Sequence, residues 1–189
     1  MMTDFRTQLR LETAADHDRV DTLFTGIDIA EFAGFTRFLE IHLACFRMML
    51  TRSTGNDGVF AILIDLIRRI EDDLSTLGVW EIDQPSLQLD KIDPLALDYM
   101  VAGSRLGTKV LRKRWGSTDD RRVRAAERYF GFEGGSEYWK TVCNMLSAIP
   151  ADSERAATIT RDVKALFALF VNCHDRVNVT TVSWGLCDV

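Results

Sequence analysis

Proline is scarce in this chain and falls only where helical periodicity stops. The 189-residue sequence contains three prolines, at positions 85, 94 and 150. Proline disrupts the interior of a helix, so this spacing permits long helices joined by short loops. Apolar residues recur at three- and four-residue steps almost throughout, and only the tail 177–189 carries strand-like residues. The sequence predicts an all-α, multi-helical fold in one domain over residues 1–189, with the tail 177–189 as its least defined part.

The helix ends are indicated by local signals. Asp93 followed by Pro94 is a typical helix start, Gly116 is the matching stop, and Gly78 is expected to close a helix in the left-handed conformation. Residues 79–92 are expected to form a connector. The predicted helices cover about 4–23, 29–52, 58–77, 94–115, 119–130, 136–148 and 152–176.

Composition narrows the class of protein. A formal net charge of −5 argues against general nucleic-acid binding, which normally needs a basic surplus. The four cysteines lie far apart without a C-x-x-C pair, as expected of reduced thiols. The N-terminus lacks the apolar run of a signal peptide, and the apolar stretch 59–67 is too short to span a bilayer. We therefore expect a cytoplasmic protein with neither a membrane nor a nucleic-acid partner.

The helix predicted over 94–115 has two glycines in its interior, Gly103 and Gly107. Each costs a helix roughly 1 kcal/mol relative to alanine, so the bare backbone needs a reason. One explanation is close packing of another helix, and the other is a flat ligand lying against the backbone. At about 100° per residue the glycines belong to one largely apolar face, formed by Ala96, Tyr99, Met100, Gly103, Leu106, Gly107 and Val110.

His17 is one of three histidines. If residues 4–23 form one helix, His17 shares a face with Thr13, Val20 and Phe24, and its imidazole is expected to point inward. A buried imidazole needs a partner, either a backbone carbonyl or carboxylate, or an iron atom such as that of haem. His42 is expected to make a structural hydrogen bond, and His174 is given no role.

Several reaction classes are disfavoured by missing motifs. No E-x-x-H occurs, which argues against a di-iron carboxylate bundle. The chain has no Gly-rich phosphate loop and no G-x-S-x-G nucleophile elbow.

Three segments together resemble the bacterial biliverdin-producing haem oxygenase family. "LRLETAADHDRVD", residues 9–21, is similar to the helix that carries the family's proximal haem ligand, and it places His17 at the ligand position. "YMVAGSRLGT", residues 99–108, is similar to the glycine-rich distal helix, and "RYFGFEGGSEYWKTV", residues 128–142, to an aromatic-glycine segment. The chain departs from the family at Thr108, where a third glycine is usual.

The resemblance implies a haem-oxygenase-like fold with haem between the two helices. His17 would ligate the iron, and Gly103, Ser104 and Gly107 would form the catalytic distal wall. The implied activity is reductive, dioxygen-dependent cleavage of haem to biliverdin, carbon monoxide and ferrous iron. Haem is then both cofactor and substrate, and a reductase or ferredoxin-type protein would donate electrons. Whether the product supplies a bilin-using photoreceptor or iron acquisition stays open.

The same resemblance implies further contacts with haem. Arg10, Lys109 and Arg112, with Lys113, are candidates to pair with the propionates, although a solvated helix end explains the last three equally well. Tyr99 would orient its hydroxyl or simply pack, and Ser104 would join a water network or serve as a small packing residue. The other implied haem-contacting residues are Thr13, Met100 and Thr108.

Thr108 leaves open whether the protein is catalytic. Its hydroxyl could bond back into the helix, crowd the pocket or order water. The competing functions are therefore a non-catalytic haem-binding carrier or sensor, and a helical interaction module without haem.

Overall fold

The computed structural model describes residues 4–53, 58–80, 88–134 and 136–184. Over these residues the chain forms helices and no strands, which confirms the all-α prediction. No helix in these ranges combines the length and apolar character that crossing a membrane requires. The helices are α1 (Phe5–Glu12), α2 (Ala14–Thr25), α3 (Phe32–Leu50), α4 (Phe60–Leu77), α5 (Pro94–Trp115), α6 (Arg121–Ala125), α7 (Ser136–Ser147) and α8 (Glu154–Trp184).

The single first helix predicted over 4–23 is wrong, because Thr13 divides it into α1 and α2. Thr13 leaves helical geometry, with φ −106° and ψ 4°. Its hydroxyl donates to the Leu9 carbonyl at 2.8 Å, and its own carbonyl accepts from the His17 N–H at 3.0 Å. The Leu9 carbonyl thus accepts from both the N–H and the hydroxyl of Thr13 at the point where the helix is interrupted.

Some of the other predicted helix boundaries agree with the structure, and others are shifted. Gly78 closes α4 at φ 79°, and the Asp93 carboxylate caps α5 by accepting from the Leu95 N–H at 2.9 Å, so both predictions are confirmed. The helix predicted over 119–130 shortens to α6, and that predicted over 152–176 continues as α8 to Trp184. The tail is thus helical up to that residue, and 185–189 and part of the predicted connector, 81–87, lie outside the described residues.

The core is built around α3, which packs against α4 and α8. His42 lies inside this core, and its Nδ1–H donates to the Phe38 carbonyl at 2.8 Å, which confirms the structural role predicted for it. Burial lowers the pKa of His42 from 6.5 to about 4, so the ring is neutral. The rings around it come from Phe24, Phe38, Phe46, Tyr129 and Phe170.

A buried carboxylate fixes the segment that follows α6. Asp73 on α4 is fully buried and accepts from the backbone N–H groups of Arg128 and Tyr129, at 2.9 and 2.8 Å. Burial raises the pKa of Asp73 to about 6, against the opposing effect of these two hydrogen bonds. The bonds hold the segment against α4 without regular secondary structure.

Replacing Asp73 by asparagine is expected to change how stability depends on pH. The raised pKa means that the folded protein holds this proton more tightly than the unfolded chain, so the contribution of Asp73 to stability falls as the pH rises from about 4 to 7. An asparagine side chain does not titrate, so the Asp73→Asn variant does not lose stability in this way. The free energy of unfolding of the variant, measured in urea and compared with that of the wild type, should rise by up to about 3 kcal/mol over that pH range.

The comparison must be made between variant and wild type at each pH, because His42 titrates in the opposite sense. Its lowered pKa gives a contribution that is present above pH 6.5 and lost as the pH falls towards about 4. A difference between Asp73→Asn and the wild type that stays constant with pH would contradict the raised pKa.

Candidate functional site

Arg114 links the C-terminal ends of α5 and α2. Its Nη2 donates to the carbonyl of Ile27 at 2.8 Å and, with longer geometry, to that of Thr25 at 3.3 Å. Both carbonyls lie at or just beyond the end of α2, where backbone oxygens lack helical partners and attract a cation. The guanidinium therefore ties α5 to the end of α2.

Tyr99 links the opposite ends of the same two helices. The hydroxyls of Tyr99 and Thr13 are close enough to interact, and the Thr13 hydroxyl also donates to the Leu9 carbonyl at 2.8 Å. Burial raises the pKa of Tyr99, whereas the Thr13 hydroxyl and the nearby charges of Arg10 and Arg6 lower it. The phenol is therefore protonated at neutral pH and available as a donor.

The two links place α2 and α5 side by side and parallel. Residues 13–27 and 99–114 each extend over roughly 20 Å at the helical rise, so the ends match. His17 follows Thr13 by one helical turn, just as Gly103 follows Tyr99, and Asp21 and Gly107 come one turn later. His17 therefore lies level with Gly103, and Gly107 lies one turn further along α5.

The last helix lies beneath both walls. α2 packs mainly against α8, whereas α5 packs against α7 and α8. The ring of Phe167 on α8 meets the imidazole of His17 edge-on, with centroids 5.9 Å apart. Both α2 and α5 thus pack on α8 with few contacts between them, and we call the space between these two helices the α2/α5 cleft.

The prediction that His17 is buried is wrong, because 58% of its side chain is exposed. The helix is interrupted at Thr13, four residues before His17, and the imidazole lies at the surface with buried Phe167 edge-on to it. Nδ1 lies 3.3 Å from the Asp21 carboxylate and 3.9 Å from that of Asp18. No hydrogen-bond partner of Nε2 is found among the described residues. The carboxylate partner considered for His17 is thus present, and it leaves Nε2 free.

The two glycines of α5 have different surroundings. A Cβ atom at Gly103 would lie 3.2 Å from Cζ3 of Trp139, so this glycine serves helix packing. A Cβ at Gly107 would meet nothing within 4 Å. Leu106 and Val110 beside it are 53% and 69% exposed. Of the two explanations for the bare backbone, packing holds at Gly103, and Gly107 presents open backbone.

The hydroxyls of Ser104 and Thr108 are hydrogen-bonded within α5, and the side chains of Thr108 and Met100 are buried. The Ser104 hydroxyl donates to the Val101 carbonyl at 2.8 Å, and the Thr108 hydroxyl to the Ser104 carbonyl at 3.4 Å. Thr108 is 8% exposed and Met100 6%. Of the roles considered for Thr108, bonding back into the helix is the one observed, and it does not crowd the cleft.

The cations predicted to hold propionates do not form one group. Arg10 lies close enough to the Tyr99 hydroxyl to act on its pKa, at one end of the cleft. Lys109 and Lys113 are exposed. Arg112 lies on the face of α5 opposite Gly103 and lines a separate cavity of about 260 Å³ with residues of α4 and the segment after α6. Placing Arg112 in the cleft is therefore wrong.

Three residues of the cleft received no role from the sequence. Arg114 follows Gly107 by seven residues, which places it on the glycine face, and extending the helical projection by two turns would have found it. Trp139 lies in the segment 128–142 that carries the family resemblance, without a pattern that indicates its contact. Phe167 belongs to an apolar helix face, a signal that does not distinguish core from cleft.

Alanine substitutions at the two glycines should have different effects on stability. Gly107→Ala removes the cost of a helical glycine without a clash, so the free energy of unfolding should rise by about 0.5–1 kcal/mol. Gly103→Ala gains the same propensity but presses on Trp139, so we expect little gain or a loss. Urea unfolding of both variants measures the difference. Equal gains would contradict the contact between Gly103 and Trp139.

Arg114→Gln should destabilise the protein by about 1–3 kcal/mol, because charged hydrogen bonds to two helix-end carbonyls are lost. Arg114→Lys keeps the charge and should lose less. Lys113→Gln, an exposed neighbour without an ion-pair partner among the described residues, is the matched control and should stay within about 0.5 kcal/mol of the wild type. An Arg114→Gln variant as stable as this control would rule out the link in solution.

The fold has a counterpart among solved structures. It is similar to that of the haem oxygenase from Neisseria meningitidis, known from crystal structures of its NO- and CO-bound forms. The TM-score is 0.69 at 18% sequence identity, covering 93% of this chain and 92% of the other. The sequence matches no family model and no curated protein. The chain therefore has a haem-oxygenase-like, all-helical fold.

Proposed function

We propose that the α2/α5 cleft binds haem and that the protein is a haem oxygenase. The observation that carries the proposal is the free Nε2 of His17 on α2 together with the bare Gly107 backbone, which lies one helical turn further along α5. The haem-oxygenase-like fold supports it. The family resemblance of residues 9–21 and 99–108 supports the same assignment.

The residues present fit a flat, mostly apolar ligand. A side chain at Gly107 would project into the open space, so the glycine leaves a bare strip that a ring can approach closely. Phe167 offers an aromatic edge beside His17, and Leu106 and Val110 expose apolar surface on α5. Burying this surface under a ligand would contribute about 25 cal/mol per Å².

His17 is the residue that would hold the haem iron. Asp21 lies 3.3 Å from Nδ1 and can accept its proton, which fixes the tautomer with Nε2 unprotonated. A carboxylate on the far nitrogen also orients the ring and makes the ligating nitrogen more basic. Asp21 is thus proposed as the positioning residue for His17.

The glycine strip is proposed as the distal wall. Because Gly107 has no side chain, it leaves room for a small molecule such as dioxygen. Ser104 donates its proton to Val101, so its oxygen has lone pairs left to accept from a water molecule. Arg10, near the Tyr99 end, is proposed to pair with a propionate. Thr13, through its contact with Tyr99, is proposed to position that end of the cleft.

Bound haem would supply the redox chemistry, in which an external electron donor and dioxygen open the ring to biliverdin, carbon monoxide and ferrous iron. The chain contributes orientation, a close-fitting backbone wall and an ordered imidazole. We propose a reductase or ferredoxin-type protein as the donor. The supply of biliverdin to a bilin-using photoreceptor is one proposed use of the product.

Hemin titration followed by reductant under air tests the proposal. The wild type should develop a Soret band that decays to a bilin spectrum. His17→Ala should bind hemin weakly and form little or no bilin. A band that persists would indicate a non-catalytic carrier or sensor, and the absence of a band would contradict haem binding altogether. Unchanged turnover in His17→Ala would contradict the ligand assignment.

Two neighbouring carboxylates give a matched control in the same titration. Asp21→Asn should weaken hemin binding about tenfold, because an amide holds the imidazole less strongly. Asp18→Asn removes the same charge from a residue 84% exposed and 3.9 Å from Nδ1, and should change the affinity little. Equal effects of the two variants would show that only net charge matters.

A further inference from the structure

A small cavity lies against the side of α5 opposite Gly103, and therefore away from the α2/α5 cleft. It has a volume of about 260 Å³ and lies between α4, the C-terminal end of α5 and the segment after α6. Three of the residues that line it are the arginines Arg69, Arg112 and Arg128. We call this cavity, with its three arginines, the arginine pocket.

Arg69 is held in place by three neighbours. Its Nε donates to the Asp65 carboxylate at 2.8 Å, and its Nη1 donates to the Arg128 carbonyl at 3.0 Å. Its guanidinium carbon also lies 5.5 Å from the centroid of the Phe132 ring. No hydrogen bond of Nη2 is found among the residues that the structure describes. The guanidinium is thus oriented before any ligand arrives, with a donor left over, and an oriented donor loses little entropy on binding.

Arg112 and Arg128 reach the same pocket from different parts of the chain. Both residues are exposed, and neither side chain forms a salt bridge or hydrogen bond within the described part of the chain. The backbone of Arg128 is nevertheless anchored to α4, because its N–H donates to buried Asp73 and its carbonyl accepts from Arg69. Two unpaired cations are thus brought to one cavity, one by a long helix and the other by an anchored segment.

The balance of charge in the pocket favours an anion, although the whole chain has a net charge of −5. Asp65, the acidic neighbour of Arg69, also pairs with Arg68 at 3.0 Å, so its charge is already shared between two arginines. Among the described residues, Glu127 is the acidic residue that lines the pocket, and the two unpaired arginines outnumber it. Single solvated arginines are common on protein surfaces, whereas three around one cavity suit an oxyanion, whose oxygens accept from several guanidinium groups at once.

We propose that the arginine pocket binds a phosphate monoester with a small apolar group. A phosphate monoester presents three acceptor oxygens and a charge of about −1.5 to −2 at neutral pH, which suits three guanidinium groups better than a single carboxylate does. The inference is independent of the proposed function, because the pocket and the cleft lie on opposite sides of α5.

The apolar group is inferred from the rings that line the pocket. Trp115 and Phe130 contribute aromatic surface, with ring centroids 5.5 Å apart. The indole N–H already donates to the Val123 carbonyl at 3.0 Å, so the Trp115 ring offers a ligand its apolar surface and no free donor. The volume lies just below the range of pockets that hold drug-sized molecules, so we expect this group to be about the size of a single ring.

Isothermal titration calorimetry of the 189-residue chain without hemin tests the proposal with two ligands. Inorganic phosphate and phenyl phosphate share the oxyanion and differ in the apolar ring. Phenyl phosphate should bind about tenfold more tightly, because only this ligand can bury apolar surface against Trp115 and Phe130. Equal affinities would overturn the organic group and identify a site for free phosphate. Absence of binding at millimolar concentrations of both ligands would overturn the whole proposal.

Three single substitutions distinguish a specific site from general attraction by surface charge. Arg112→Gln removes a donor from the pocket and should weaken the binding of phenyl phosphate about tenfold or more. Glu127→Gln removes the opposing carboxylate and should strengthen binding about threefold. Lys113→Gln, the matched control, removes the same charge from the exposed residue next to Arg112 and should change the affinity by less than about twofold.

Equal weakening by Arg112→Gln and Lys113→Gln would indicate attraction without a site and would overturn the proposal. Because no haem is present in these titrations, their outcome does not depend on the proposed function. Hemin binding by Arg112→Gln, measured separately, should match that of the wild type, since this residue lies outside the cleft.

Discussion

The proposed site depends on two polar contacts that connect α2 and α5 near their ends while both helices pack on α8. Arg114 binds carbonyls at the end of α2, and Tyr99 contacts the hydroxyl of Thr13. Direct packing of the two helices would have buried His17 and filled the space beside Gly107. Instead the links act at the ends, while α8 supports both helices from below. A space is left between the two helices because the polar contacts that connect them lie near their ends.

The features of α5 show what can be predicted about a helix from the sequence alone. Its limits follow from Asp93, Pro94 and Gly116, since a cap and a stop are local features. The glycine strip also follows from helical periodicity. The different roles of Gly103 and Gly107 could not be predicted, because they depend on whether a residue 36 positions later covers the backbone, as Trp139 does at Gly103. Local chemistry specifies the helix, and distant packing specifies the use of its face.

His17 illustrates the opposite case, because its sequence pattern is that of a helix, as observed, but the burial inferred from that pattern is wrong. Val20 and Phe24 on the same face of α2 are apolar, and an apolar face is typical both of a core and of a ligand cleft. The break at Thr13 depends on a hydroxyl bonding back to Leu9, which threonines inside helices also do. Arg112 was misplaced for a simpler reason, since its charge matched the expected ligand but its position on the helix did not.

One long helix serves both halves of the molecule. α8 carries Phe167 against His17 and, one turn later, Phe170 into the aromatic core around His42. Phe167 and Phe170 both belong to the buried core, so α8 joins the core directly to the imidazole at its edge. A substitution that loosens the core at Phe170 would therefore also shift the ring against which His17 lies. The packing of the interior and the orientation of the imidazole are coupled through one helix.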